Sequence, residues 1–157
     1  MIVLVNISRL VLGVTFVFSG YVKAIDPIGT QYKIQDYLVA LGLSDVVPDF
    51  ITLGMSVLLA AIEFTLGLLM LFAIRRHLVS KLMTVLMVIM TLITIWIAIA
   101  NPVKDCGCFG DAIHLTNTQT LLKNIVLLGC AVIVARWPLL MYRFLSRSTQ
   151  WIAINYT

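Results

Sequence analysis

Charge is what this chain has least of: 11% of its 157 residues are charged and 61% are hydrophobic. An average soluble domain has about a quarter of its residues charged, so the composition is not that of a water-facing globule. Strict apolar–polar alternation is missing too, which excludes a transmembrane barrel. No basic run occurs, so the net charge of +4 is not a nucleic-acid footprint and no nucleic-acid partner is expected. The first apolar segment has no basic stretch before it and no small-residue cleavage site after it, unlike a signal peptide. Repeats, low-complexity tracts and a separate soluble domain are lacking as well. Only three cysteines are present, so a second dithiol cannot be assembled from this chain.

What is there is four continuous apolar runs: roughly Ile2–Val22, Ile51–Ala73, Val79–Ala100 and Thr120–Leu140. Each is about 20 residues long, the length that spans a bilayer as a helix. The expected fold is all-α, one transmembrane domain over residues 1–157, built as a polytopic bundle of four helices in contact with membrane lipid. The second and third helices are joined by a short link and are expected to pack as antiparallel neighbours. Between the first and second, Thr30–Gly42 reads as a short amphipathic helix. Ile34, Leu38 and Leu41 recur at helical spacing, Pro27-Ile28-Gly29 forms a turn before it, and Gly42 ends it. It is too short to span and belongs in the outer interface. Pro102 closes the third helix. The tail Trp151–Thr157 is apolar and aromatic, an interfacial anchor or the start of a further segment.

Lysine and arginine set the orientation. Arg9, Arg75, Arg76, Lys81, Arg136, Arg143 and Arg147 fall on one side, seven against the four of Lys23, Lys33, Lys104 and Lys123. The positive-inside rule places both termini and the Arg75–Lys81 link in the cytoplasm. The loop 101–119 then faces outward, into an oxidising compartment.

That loop carries Asp105-Cys106-Gly107-Cys108-Phe109-Gly110-Asp111. A disulfide between residues i and i+2 closes a small ring near the upper limit of disulfide geometry, with Gly107 supplying backbone freedom. Strained disulfides have more oxidising potentials and tend to be labile. Cys106 and Cys108 are therefore the candidate catalytic pair of a thiol–disulfide oxidoreductase, and His114 is a candidate base. Two other readings stand beside this one. The pair can be a fixed staple that shapes the loop. A zinc site fits less well, because Cys106, Cys108 and His114 lack the usual spacing and a fourth ligand; no metal is expected. Cys130, flanked by Gly129 and Ala131 in the fourth helix, reads as a small residue that allows close helix packing.

Five ionisable or polar groups in or beside the apolar runs stand out. Glu63 lies near the middle of the second helix, where a carboxyl must be neutral, paired or wetted. It can relay a proton or contact a quinone ring; equally, it can make a structural hydrogen bond to Arg9, Thr65 or Ser19. Arg9 is expected to snorkel toward the cytoplasmic surface. Lys23 is expected to pair locally with Asp26 or to anchor at the interface. Lys123 and Asn124 open the fourth helix just after the cysteine loop, facing it or reaching headgroups.

These residues resemble the MauE/DoxX family of redox-associated membrane proteins. The likeness runs through Arg9, Leu12-Gly13, Phe16, Ser19-Gly20, Lys23 and Asp26-Pro27, then Glu63 and Gly67. It continues in Asp105–Asp111 and ends in Leu121-Leu122-Lys123-Asn124. The Cys-Gly-Cys-Phe-Gly loop followed by Lys-Asn resembles the MauE branch, and among it the Bacteroidetes-type members. The resemblance implies a four-helix bundle in the bacterial inner membrane, acting in thiol redox or in maturation of exported proteins. For MauE that role is proposed in making methylamine dehydrogenase; other DoxX relatives look like quinone-linked subunits of thiosulfate oxidation.

Three readings of function follow. In the first, Cys106 and Cys108 exchange with an extracytoplasmic thiol protein, thioredoxin-like or an exported substrate, and pass electrons to membrane quinone, with no covalently bound cofactor. Glu63, His114, Lys123 and Arg9 are the supporting residues. In the second, the bundle is a non-enzymatic scaffold whose disulfide fixes a docking surface. The third, a transporter with Glu63 and Arg9 lining a cavity, is disfavoured because broken helices in matched halves are missing.

Overall fold

Each apolar run becomes a helix, and each helix stops where the backbone chemistry stops it. The computed structural model describes residues 1–101, 113 and 115–142. Its elements are α1 (Ile2–Ile25), α2 (Pro27–Ala40), α3 (Asp49–Leu71), α4 (Arg76–Ala100), α5 (Asn117–Arg136) and a 3-10 turn at Pro138–Leu140. Four of them, α1, α3, α4 and α5, are long and apolar enough to cross a membrane. The protein is a multi-pass membrane protein with an all-helical bundle fold.

The ends differ from the sequence expectation by a few residues, each for a local reason. α1 runs past Val22 to Ile25 and breaks at Asp26 (φ −123°, ψ 75°), since the residue before a proline is pushed out of the helical region. Asp26 then caps α2: its Oδ1 accepts from the Gly29 N–H at 2.9 Å, and Pro27 takes the first helical position, where no N–H is needed. Pro27-Ile28-Gly29 is thus the first turn of α2 rather than a turn ahead of it. Gly42, at φ +71°, ends α2. The Leu43 N–H donates to the Leu38 carbonyl and the Gly42 N–H to that of Val39, the paired bonds of a Schellman motif. α5 starts at Asn117, before the expected Thr120, because Thr116 and Gln119 form a reciprocal capping box. It ends at Arg136, not Leu140, because Pro138 cannot continue an α-helix past Trp137.

Glycine sets the closest helix contact. A Cβ on Gly20 would lie 2.5 Å from the Phe64 backbone nitrogen and 2.8 Å from the Ala60 carbonyl oxygen. One on Gly67 would lie 2.7 Å from the Val17 nitrogen. Position 20 meets 60–64 and position 67 meets 13–17, so α1 and α3 run antiparallel with their backbones nearly touching. Small residues are the usual route to such approach in lipid, where tail-to-tail contact gives helices no hydrophobic reason to associate. α4 and α5 form the second antiparallel pair, tied by Thr84 Oγ1 to the Ala131 carbonyl at 3.2 Å, Asn124 to Thr94 at 2.7 Å and Asn117 to Asn101 at 2.9 Å. The short link Phe72–Arg75, with Ala73 and Arg75 at positive φ, does not make α3 and α4 close partners. They touch far less than α1 and α3 do, and an apolar groove of about 550 Å³ runs between them.

The surface and interior are inverted relative to a soluble protein. Val3, Ile7, Val14 and Phe18 of α1 are exposed, as are Leu82, Val85, Leu92 and Ile99 of α4, a lipid-facing belt. Inside lie Ser8, Arg9, Ser19, Lys23, Glu63, Ser80, Thr91, Thr94, Thr120 and Asn124 beside the apolar core of Val5, Leu12, Met70, Met83 and Val134. Cys130 is partly buried and packs against that core. Its neighbour Gly129 faces open space, so the glycine is not what brings α5 close to another helix.

The bundle has two distinct ends. At one, Asn6 and Arg9 of α1 and Arg76 of α4 gather around the carbonyls of Leu139–Tyr142. At the other lie α2 and the Asn101–Asn117 contact. We call these the link end and the loop end.

Candidate functional site

Ser19 and Lys23 are four residues apart and so share one face of α1. Gly20 lets that face lie against α3, and Glu63 projects from α3 into the contact. The result is a buried cluster of Ser19, Lys23 and Glu63. Glu63 Oε2 accepts from Lys23 Nζ and from Ser19 Oγ, each at 2.7 Å. Lys23 Nζ also donates to Ser19 Oγ at 2.7 Å. The lysine and glutamate side chains are 3% and 6% exposed. This overturns the expected Lys23–Asp26 pairing. Asp26 instead caps α2, and the buried Glu63 carboxylate, costly if left unpaired, takes Lys23 and Ser19 as its donors. Of the hydrogen-bond partners expected for Glu63, Ser19 is the one found.

The cluster forms part of the wall of a cavity of about 470 Å³ bounded by all five helices. α1 gives Phe16, Ser19 and Lys23; α2 gives Lys33, Ile34 and Tyr37; α3 gives Met55, Leu59 and Glu63. α4 adds Met87, Met90 and Ile93, and α5 adds Lys123, Asn124 and Leu127. α2 is therefore more than an interfacial helix, because it helps enclose this space. Asn124 is held by its bond to Thr94, which fixes the α4–α5 wall. The chemistry available is narrow. A proton arriving on Glu63 would break the ion pair and leave a buried ammonium behind, so protonation there is coupled to movement of Lys23 or to arrival of another anion.

Of the sequence-predicted residues, Glu63 and Lys123 line this one cavity. Arg9 does not join them. It sits 14 positions before Lys23, about 21 Å along a helix, at the link end. Nor does it snorkel: it is 2% exposed, and its Nη1 donates to the Tyr142 carbonyl at 2.7 Å, where a cation satisfies carbonyl groups that follow the end of α5. Cys106, Cys108 and His114 lie outside the described residues. The sequence does not point to Lys23 as the partner of Glu63, nor to Lys33 and Tyr37 as residues that line the cavity. The one signal available was the four-residue spacing of Ser19 and Lys23 on the face that carries Phe16 and Gly20.

No curated protein and no solved structure matches the chain. A family model described as methylamine utilisation protein MauE matches residues 1–137. That match takes in every long helix of the bundle together with the Lys23–Ser19–Glu63 cluster, and the chain belongs to the MauE family.

Proposed function

We propose that this MauE-family protein is a thiol–disulfide relay that matures exported proteins. In this reading the loop end faces the extracytoplasmic side and the link end the cytoplasm. Among the described residues Arg9, Arg75, Arg76, Lys81 and Arg136 lie toward the link end, which supports that orientation under the positive-inside rule. A disulfide between Cys106 and Cys108 is attacked by a thiolate of the partner protein and passes through a mixed disulfide. The partner leaves oxidised and the pair is left as two thiols. Membrane quinone then takes two electrons and two protons from the pair, which returns to the disulfide as quinol forms.

The observation that carries this reading is the polar cluster buried below the loop end. The segment bearing the cysteines is bounded by Asn101 and Asn117, which bond each other at 2.9 Å. Two turns into α5 lie Lys123 and Asn124, and they share a cavity with Lys23 and Glu63. An intramembrane carboxylate is costly and is by default a candidate functional group. Thiol oxidation must dispose of two protons, and Glu63 is the one carboxylate lining this cavity among the described residues.

The test is capture of a partner. Single Cys106→Ser and Cys108→Ser variants, expressed in the native membrane and quenched with acid, are compared by non-reducing electrophoresis. One variant should accumulate a reducible adduct with an exported protein and the other should not. Adducts of equal yield in both variants, or in neither, reject the relay; retained function in the double variant would instead assign the loop to a scaffold.

A further inference from the structure

Only one oxygen of the Glu63 carboxylate is engaged. Oε2 accepts from Lys23 and from Ser19, each at 2.7 Å. Oε1 accepts no hydrogen bond from a described residue, although Glu63 is only 5% exposed. Nor is Oε1 sealed in: it is not one of the fully enclosed polar atoms that lack a partner, and Glu63 lines the cavity of about 470 Å³. Asn124 repeats the pattern from α5. Its Nδ2 donates to Thr94 at 2.7 Å, while its carbonyl Oδ1 accepts from no described residue. Asn124 is 2% exposed, its Oδ1 is likewise not enclosed, and it lines the same cavity. Two nearly buried side chains on different walls thus each turn an open acceptor toward one space.

Two open acceptors in an apolar enclosure favour a ligand with two donors. Charge narrows the donors. Glu63 is already balanced by Lys23 and is the one carboxylate in the lining among the described residues, so a cationic donor would lack a counter-charge. An anion would face Oε1 directly. Neutral hydroxyls fit both acceptors. The walls narrow the body of the ligand. Phe16, Met55, Met87 and Met90 line the cavity, and phenyl and thioether groups pack well against aromatic rings. A volume of about 470 Å³ lies in the usual range for small-molecule sites. We propose that this cavity binds a lipophilic hydroquinone. One ring hydroxyl donates to Glu63 Oε1, the other to Asn124 Oδ1, and the ring lies among Phe16, Met87 and Met90. Binding of this ring does not require the cysteines. Its identification with the quinol that the relay forms rests on the reading above.

Purified protein in an uncharged detergent is titrated, without oxygen, with a decyl hydroquinone and with its dimethyl ether, which keeps ring and tail and loses both donors. The hydroquinone should bind roughly tenfold more tightly, the worth of a hydrogen bond to a charged acceptor. Lys23→Leu/Glu63→Leu, which removes both buried charges together, should abolish most of that preference. Asn124→Leu should weaken the hydroquinone several-fold and leave the ether unchanged. Met87→Trp, which fills the space for the ring, should weaken both. Equal affinity for hydroquinone and ether overturns the proposal, as does a full preference that survives Lys23→Leu/Glu63→Leu. Decyl alcohol that binds as tightly as the hydroquinone also overturns it, since the ring would then contribute nothing. The comparison of ligands on the natural chain decides even where a substitution unfolds the bundle. The Cys106→Ser/Cys108→Ser protein should bind the hydroquinone as the natural chain does, so failure of the relay and failure of this site are told apart.

Discussion

At the scale of single residues, Lys23 and Glu63 form an ion pair between α1 and α3 with both charges almost wholly removed from solvent. Removing one partner of a buried pair typically costs about 3–5 kcal/mol, whereas replacing both by apolar groups is often close to neutral. Glu63→Leu and Lys23→Leu should therefore each lower thermal stability in detergent by about that amount. The double variant should recover most of the loss. Additive losses in circular-dichroism melts would mean that the two side chains do not depend on each other. The acid itself was legible in the sequence, because a lone carboxyl in an apolar run has to be explained. Its partner was not. Asp26 lies three residues from Lys23 and looked like the obvious counter-ion, but nothing in the linear chain reveals that Gly20 brings α3 against that face of α1. Arg9 escaped for a related reason. Its acceptor, the Tyr142 carbonyl, belongs to a turn at the far end of the chain, and a long cationic side chain near a helix end ordinarily reaches for headgroups.

At the scale of elements, two glycines should respond in opposite ways to the same added methyl. At Gly20 the new Cβ would meet backbone atoms of α3 at 2.5–2.8 Å, and backbone cannot swing aside as a flexible side chain can. Gly20→Ala should cost about 1–3 kcal/mol, the usual range for overpacking, and should loosen the Lys23–Glu63 pair along with the helix contact. At Gly129 nothing lies within 4 Å, so Gly129→Ala should be neutral or should gain up to about 1 kcal/mol from helix propensity. Melting both variants side by side checks the pair; a destabilised Gly129→Ala would contradict the placement of that face in lipid. The Asn124–Thr94 bond gives a third expectation. A double-mutant cycle of Asn124→Ala with Thr94→Ala should yield a coupling of about 0.6 kcal/mol, and less than about 1.7 kcal/mol, the scale of side-chain hydrogen bonds between membrane helices. The existence of the four spanning helices was legible because hydropathy needs no tertiary information. Their ends were partly legible too: Thr116 and Gln119 have capping-box spacing, and Pro138 breaks the fourth run, yet both lie within polar or apolar stretches that hydropathy alone reads straight through. The partnership of helices was the least legible feature. The short link favoured α3 beside α4, whereas small residues on α1 and α3 won, because in lipid the depth of backbone approach outweighs closeness in sequence.

At the scale of the whole molecule, the antiparallel pairs α1–α3 and α4–α5 place residues 1 and 142 at the same end as the Phe72–Arg75 link, opposite α2 and the Asn101–Asn117 contact. Which end meets the cytoplasm decides whether the proposed chemistry can occur at all. Ser44 lies at the loop end and His77 at the link end, and both are exposed. With Cys106, Cys108 and Cys130 replaced by serine or alanine, Ser44→Cys should react with a membrane-impermeant maleimide on intact cells, and His77→Cys only after lysis. Labelling in the reverse pattern would put the Cys106–Cys108 segment in a reducing compartment, where glutathione and thioredoxin keep thiols open. A relay that oxidises partner thiols would then work against those reductants, which reopen both the partner's disulfide and its own, and the proposed reaction could not be sustained.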